Sequence, residues 1–584
     1  MHVIVEGWNH EVSDSEAQGH CPYESNRYIH GYYEEASLLN EITPKVYSSR
    51  ILFADVKPLI VDTLASGKGV RLTTRDVIGA GPRAIAGVLE AKGFEPEISP
   101  VEQYLGGRVD DYDVLLISGM TSDVPAIQRS IRKWRKNHDG PVIIGGPAAS
   151  EPERVLRRTG GDIAVTGEGE YTLVELLDGG LGDGVFPDNL EEIRGISYRI
   201  KKKITVNPLR PLQPKEVYKE YPPSTKTITS YPLYKSARVY IEAIRGCSNF
   251  NRARIGPIGG ACTFCELCTE AGLTERYDCP VGIPPGCGYC SVPSLYGPPK
   301  SRPSKLIIEE TKELLALGVH RIVLSAPGFL DYEREKLVVP EPLTDPRSPE
   351  PNYEALEELL SGLTGLPQVA SGNASIMIEN IKAALVTERA AAILGKYLRD
   401  TPVSVGFETG SDEHSRLLGR PDTPSETLVS LRRLKEAGMK PYVYFIHGLP
   451  GQTSETVEET VKMIDASMRA GSDRVILYRF MSLPSSSFTQ CPSGAPASQD
   501  PLSKRIYDAS LEANMGQKQE LVGDRVKVVV AERYDRDQRF WVAYPMLHGP
   551  VVLVKSDNIG AGDVRLVEIT GVASERMVYG MVLR

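Results

Sequence analysis

The sequence predicts an α/β protein in three parts: a doubly wound parallel sheet, an open (β/α)6 barrel and a small C-terminal β-barrel. Three observations predict it. From Gly69 short apolar runs alternate with segments of helix length, as parallel strands joined by helical crossovers require, and the same alternation resumes from Val239 to Phe480. Residues 521–583 read instead as short valine-rich strands separated by turns, the pattern of a small β-barrel.

The 584 residues are enough for three or four domains, and 41% hydrophobic with 24% charged residues is ordinary for a soluble protein. A net charge of −9 argues against binding nucleic acid through bulk positive charge. No run approaches the roughly 18 apolar residues that a membrane span needs. The first residues, M-H-V-I-V-E-G-W-N-H, carry neither a basic segment nor a signal-peptide core, so the expected location is the cytoplasm.

Residues 1–68 form an N-terminal extension with little periodicity. His10, His20, His30 and Cys21 in it match no ligand spacing and read as surface or core. The next domain, 69–180, has predicted strands at Val70–Thr74, Val114–Gly119 and Val142–Gly146, with helices at Pro82–Lys92 and Val124–Lys136. Glycine-bearing loops follow the later strands, where an open α/β sheet forms its ligand crevice. Residues 181–238, rich in proline, form a connector. The barrel occupies 239–500, with strands expected at Arg321–Ser325, Gln368–Ser371, Pro402–Glu408, Tyr442–His447 and Arg474–Phe480. A Pro/Ser/Ala-rich stretch after Gln490 and a helix lead to the terminal β-barrel, 516–584, which reads as a separable piece.

Seven of the nine cysteines lie between Cys247 and Cys290: Cys247, Cys262, Cys265, Cys268, Cys279, Cys287 and Cys290. Disulfides need an oxidising compartment, which nothing in the chain indicates, and seven clustered thiols are too many for chance burial, so metal ligation is the expected role. Seven divides into three and four. Three thiolates leave one iron of a 4Fe–4S cube open, whereas four close a cluster or a zinc ion completely. Two partitions fit: Cys279, Cys287 and Cys290 as the open set (C-x7-C-x2-C), which is preferred, or Cys247 with Cys287 and Cys290.

These cysteines, with the strand V-Y-I-E-A-I-R-G-C ahead of them and the helix and strand after them, resemble the radical S-adenosylmethionine (SAM) superfamily. The resemblance implies a 4Fe–4S cluster whose open iron chelates the amino and carboxylate groups of SAM. Reduction would then cleave SAM to methionine and a 5′-deoxyadenosyl radical. The usual spacing there is C-x3-C-x2-C, so the longer first gap is a departure. The runs V-S-V-G-F-E-T-G-S-D-E, L-L-G-R and F-I-H-G-L-P-G-Q-T resemble barrel motifs of the methylthiotransferase-like branch and imply that Glu408 and Arg420 lie near SAM. On the third strand Asn373, Ser375 and then Glu379 are further expected SAM contacts.

Residues 69–180 resemble the cobalamin-binding domain fused to many radical SAM enzymes. That implies a cobalamin site at Ser118, Thr121, Gly145 and Gly146, the glycines letting backbone approach the corrin. The run read as following the first strand, D-V-I-G-A-G (Asp76–Gly81), lacks the histidine of the D-x-H-x-x-G members, so any cobalamin is expected without a histidine ligand. The ending G-D-V-R-L-V-E-I-T-G-V resembles the TRAM domain of transfer-RNA methylthiotransferases. Together the resemblances imply methylation or methylthiolation of an RNA nucleoside, with C–H functionalisation of a lipid or protein side chain as the alternative, and a reducing partner such as ferredoxin or flavodoxin. From Gly516 onward ten Lys plus Arg stand against nine Asp plus Glu, which gives RNA binding little electrostatic support.

Overall fold

The structure is a computed structural model that describes residues 56–64, 76–107, 111–574 and 576–583. The described residues fall into two compact units, one made of 56–64 with 85–217, the other of 76–84 with 218–583.

The first unit is a seven-stranded sheet in the order Glu97–Pro100, Pro58–Asp62, Val114–Ser118, Val142–Gly145, Ile163–Val165, Ile196–Ile200, Lys203–Val206. The first five of these are parallel, and the last two add an antiparallel hairpin at the edge. Runs such as V-L-L-I and V-I-I are buried because helices cover both faces of a doubly wound sheet. Val124–Trp134 turns Ile127, Ile131 and Trp134 onto it. Two boundaries shift. The sheet takes its first strand from Pro58–Asp62, inside the expected 1–68 extension, and its edge hairpin from the expected 181–238 connector. The expected strand Val70–Thr74 lies outside the described residues, as do the three histidines and Cys21 of the extension.

In the second unit six parallel strands follow one another: Arg238–Glu242, Arg321–Ser325, Ser375–Ile378 continued by Asn380–Ile381, Pro402–Glu408, Lys440–His447 and Arg474–Arg479. The third strand is interrupted at Glu379, whose N–H still donates to Leu324 (3.2 Å) and whose carbonyl accepts from Ser404 (2.9 Å), so pairing is continuous across the break. A seventh, short strand, Val77–Ile78, pairs with the first. Strict alternation in Pro402–Glu408 and Lys440–His447 buries Val403, Val405, Phe407, Val443 and Phe445. The intervening Ser404, Tyr442 and Tyr444 belong to the opposite, lumen face. The segment expected as the third strand, Gln368–Ser371, is a short helix, Pro367–Ala370. Proline suits a first helical position, and Gly372 (φ +68°) then reverses the chain before the true strand begins at Ser375.

Buried ion pairs fix residues 76–84 to this barrel. Asp76 accepts from Arg238 (3.1 Å) and Arg321 (3.3 Å), and Arg83 and Arg302 both pair with Glu310, at 2.6 and 2.7 Å.

Five strands, Arg525–Arg533, Phe540–Pro545, Val551–Lys555, Met577–Val582 and Val564–Val572, close the terminal barrel around Val528, Val530, Val552, Val554 and Val567. Its expected start at residue 516 falls inside the helix Pro501–Glu520. This barrel sits against the amino ends of the large barrel's strands. Ser375 donates to the Met546 carbonyl (2.7 Å), Lys527 to that of Gly372 (2.6 Å), and the Tyr442 hydroxyl meets His548 Nδ1 at 2.9 Å. The Arg321 guanidinium lies over the Tyr544 ring.

Truncation after Glu520 would expose Arg321, Ser375 and Tyr442 at once. We expect the shortened chain to lose stability, by at least about 2 kcal/mol because buried polar groups lose their partners. Urea unfolding of the full-length and shortened proteins measures this, and equal midpoints would show that the two barrels are energetically independent.

Candidate metal centre

The cysteine-rich loop springs from the carboxyl end of the first barrel strand. A two-residue antiparallel pairing, Ile244–Arg245 with Lys300–Ser301, clamps its base. Cys247 follows Gly246 (φ +86°), where a Cβ would fall 2.2 Å from the Pro298 carbonyl oxygen, so only glycine lets the chain cross there. The Cys247 N–H donates to Gly297 at 3.0 Å.

The structure brings Cys247 together with Cys287 and Cys290. Burial pushes the Cys290 thiol up to about 12, and the nearby Cys287 and Cys247 sulfurs add to the effect. Burial raises Cys287 as well, against the opposing pull of Arg420. Asn249 donates its side-chain amide to Cys287 Sγ (3.3 Å) and to the Gly419 carbonyl (3.0 Å), and its backbone N–H points at Cys247 Sγ (3.5 Å). Such N–H donors stabilise thiolate charge around a cluster.

Arg420 is the hub beside these thiols. Its guanidinium donates to Tyr289 Oη (2.7 Å), Glu408 Oε1 (3.0 Å) and the Gly406 carbonyl (2.7 Å). Glu408 ends the fourth strand at a register shift and holds φ +65°, a strained value for a side chain that aims the carboxylate at Arg420. Burial raises the Glu408 carboxyl even so. On the other side, Asp331 accepts from Ser248, Lys382 and Arg334. All are buried, and the two cations outweigh burial and hold this carboxyl below its ordinary range.

The other four cysteines, Cys262, Cys265, Cys268 and Cys279, line a separate cavity together with Arg252 and Arg254. The preferred grouping of Cys279 with Cys287 and Cys290 is therefore not the one the fold makes; the alternative, with Cys247, is. The reason is a closure that spacing does not reveal. The Gly286 N–H donates to the Asn251 carbonyl (2.8 Å), so residues between them form an excursion and the chain returns to place Cys287 beside Cys247. Among the described residues no three His, Cys, Asp or Glu side chains converge on one ion-sized point. In a cubane each thiolate binds a different iron, which spaces the sulfurs more widely than the ligands of one ion.

Two expected SAM contacts lie elsewhere. Ser375 is the first residue of its strand and Asn373 precedes it, so both are at the amino end, opposite the cysteines, and Ser375 is bonded to Met546. The side chain that the third strand does carry toward its carboxyl end is Glu379. Its Oε2 has no hydrogen-bond partner among the described residues, and burial pushes its carboxyl up to about 8. Around it, Tyr444 and Tyr478 stack with centroids 5.4 Å apart, Ser404 donates to Tyr444 Oη (2.9 Å), and Tyr240 is close enough to feel the Glu379 charge. Sequence reasoning passed over Asn249, Tyr289 and the Asp331–Lys382 pair. Only Tyr289, inside C-G-Y-C, carried a signal, by its place between two of the ligand candidates.

In the first unit Ser118, Thr121, Gly145 and Gly146 all lie at the carboxyl ends of parallel strands. A Cβ on Gly145 would meet open space, whereas one on Gly146 (φ +77°) would meet the Gly119 carbonyl at 2.9 Å, so Gly146 serves the crossing of two loops. Thr121 donates to the Pro147 carbonyl at 3.4 Å. The segment Asp76–Gly81 is not the loop after the first strand, since its Val77–Ile78 pairs with the large barrel. That loop begins at Asp62, in D-T-L-A-S-G, where Asp62 Oδ1 accepts from the Leu64 N–H (2.9 Å). Leu64 stands where D-x-H-x-x-G has its histidine. Among the described residues of this loop no imidazole is offered to a cobalamin.

The radical SAM superfamily profile matches residues 278–464, and the B12 binding domain profile residues 72–177. An uncharacterized protein of Methanopyrus kandleri is 40% identical over 532 residues, 90% of this chain and 96% of that one. The tRNA-2-methylthio-N(6)-dimethylallyladenosine synthase of Klebsiella pneumoniae is 30% identical over 187 residues, 30% of this chain and 35% of that enzyme. The radical SAM methyltransferase TsrM from Kitasatospora setae, solved with cobalamin and a [4Fe-4S] cluster, superposes with a TM-score of 0.53 at 16% identity, over 74% of this chain and 76% of that one. This chain belongs to one family with the Methanopyrus protein and is an enzyme that carries a radical SAM domain and a B12-binding domain.

Proposed function

We propose that this enzyme holds its SAM-binding 4Fe–4S cluster on Cys247, Cys287 and Cys290 and transfers a methyl group to a carbon of a substrate whose reacting part enters the barrel lumen. The observation that carries the proposal is the meeting of those three thiols with Arg420 and Glu408 at the carboxyl end of the strands, the active end of such barrels. When bound, the cluster and cobalamin supply the reductive cleavage of SAM and the carriage of a methyl group.

The chain's own residues bind and orient. Arg420, fixed on Tyr289 and Gly406, presents a guanidinium of defined direction to a carboxylate ligand, and Glu408 accepts from hydroxyls or an ammonium. Glu379, its carboxyl raised to about 8 by burial and bonded to Ser325, is mostly protonated at neutral pH and presents the unpartnered Oε2 to the group that reaches it. Among the described residues, Arg238, a cation near it, is paired with Asp76.

For the substrate, kinship with the Klebsiella transfer-RNA enzyme and the small terminal barrel support a base of RNA. The second reading, a lipid or protein side chain, is favoured by the terminal barrel's place at the end opposite the cysteines and by its near balance of charge. The reductant we propose is a ferredoxin or flavodoxin, and the location the cytoplasm; among the described residues no helix is long and apolar enough to cross a membrane.

Three outcomes are expected. Under dithionite, Cys247→Ala abolishes SAM cleavage, as Cys287→Ala and Cys290→Ala do, whereas Cys279→Ala retains it; the reverse pattern for Cys247 and Cys279 refutes the assignment. Glu379→Gln stabilises the protein increasingly as pH rises. The raised folded pKa favours the native state only below the unfolded value of 4.5, and that advantage is lost as pH rises to about 8, so the variant's gain should grow across this window and then level at roughly 3–5 kcal/mol. Urea midpoints against pH check it, and a flat difference would show that Glu379 ionises freely. Transfer RNA should bind the full-length protein in a salt-sensitive manner if RNA is the substrate. Weak binding at both low and high salt would leave the lipid or protein reading.

A further inference from the structure

The four cysteines that the three-thiol site does not use have a geometry of their own. We propose that Cys262, Cys265, Cys268 and Cys279 hold a second, fully ligated 4Fe–4S cluster that relays electrons from a docked low-potential one-electron carrier to the SAM site. The proposal rests on the assignment of Cys247, Cys287 and Cys290 made above.

Zinc sites are built mostly from pairs of ligands set apart in sequence, whereas three thiolates at C-x2-C-x2-C, with a distal cysteine followed by proline, form the pattern of ferredoxin cubanes. Here the run is Cys262, Cys265, Cys268, and the distal residue is Cys279, followed by Pro280. The backbone is shaped to match. Phe264 (φ +54°) and Glu266 (φ +60°) are non-glycine residues in the left-handed region on either side of Cys265, a costly conformation that turns the chain tightly around that cysteine. The Phe264 N–H points at Cys262 Sγ and the Ile283 N–H at Cys279 Sγ, each at 3.4 Å. Arg252 and Arg254 line the same cavity, with Glu266 and Asp278 beside them.

Four thiolates leave no open iron, so such a cluster binds no substrate and can only carry electrons or brace the loop. Its position favours the first role. Cys265 is exposed and Phe264 is 60% exposed, its ring beneath the Arg254 guanidinium, so one edge of the cavity faces solvent with an apolar contact for a carrier. The inner edge is tied to the other site by hydrogen bonds: Asn249 bonds Cys287, and Gly286 beside Cys287 bonds Asn251, the neighbour of Arg252 in the cavity wall. In the relay one electron leaves the reduced carrier, passes through the second cluster and reaches the first, where it is consumed in breaking the sulfur–C5′ bond of SAM; no atom moves between the clusters.

The test uses the full-length protein, reconstituted without oxygen, with the double variant C265S/C268S and, separately, Phe264→Asp. Wild type should contain about eight iron and eight sulfide per chain, and the double variant about four, with an EPR signal that SAM still perturbs. Dithionite-driven SAM cleavage should stay within about twofold of wild type in both variants, while cleavage driven by reduced flavodoxin falls more than about tenfold. Phe264→Asp should show this loss with its iron intact, which separates docking from assembly. Stoichiometric zinc with about four iron in wild type would overturn the cluster, and equal flavodoxin-driven rates in wild type and both variants would overturn the relay. Loss of the SAM-perturbed signal in wild type itself would instead refute the three-thiol assignment.

Discussion

Arg420 is the interaction on which the site depends. Three stretches far apart in sequence, the cysteine loop through Tyr289, the fourth strand through Gly406 and Glu408, and the 411–422 segment that carries the arginine, meet at its guanidinium. A buried cation is costly to desolvate, and it is tolerated here because every contact is to a fixed acceptor. Removing Glu408 would leave that cation with Asp422, at 4.0 Å, as its nearest carboxylate, whereas removing Arg420 would take the partner from Tyr289 and Glu408 together. The strained φ of Glu408 follows from the same demand, because an extended residue there would carry the carboxylate away from the guanidinium.

The parts of the fold that depend on local chemistry were legible in the sequence. Apolar runs such as V-L-L-I and alternation such as V-S-V-G-F read directly as parallel strands, and Glu408 and Arg420 came to their place through motifs on those strands. The misread elements are those in which a distant contact decides. Gln368–Ser371 has strand-like residues, but Pro367 starts a helix and the pairing partner, Arg321–Ser325, selects Ser375–Ile378 instead. With that shift Asn373 and Ser375 moved to the far end of the barrel, and Glu379 took the position they had been given.

The cysteines teach the same lesson more sharply. Spacing measures distance along the chain, and by that measure Cys279 is nearer to Cys287 than Cys247 is. The hydrogen bond from Gly286 to Asn251 makes chain distance irrelevant, since it folds the intervening residues into a lobe with its own cavity. Likewise the segment Asp76–Gly81 could not be assigned to the barrel until the pairing of Val77–Ile78 was known.

That pairing also bears on how such a protein can be assembled from parts. Residues 76–84 lie within the stretch that matches the B12-binding profile, yet they supply the barrel with an edge strand, with the carboxylate between Arg238 and Arg321, and with one of the two arginines on Glu310. The two units are thus interleaved in the chain and not placed end to end. No single cut yields an intact barrel: a fragment starting at residue 218 would lack the Asp76 and Arg83 partners of its own buried charges. Recombination between genes could not exchange the cobalamin-binding unit at its apparent boundary without carrying this splint along, so partner domains joined in this way are constrained to be inherited together.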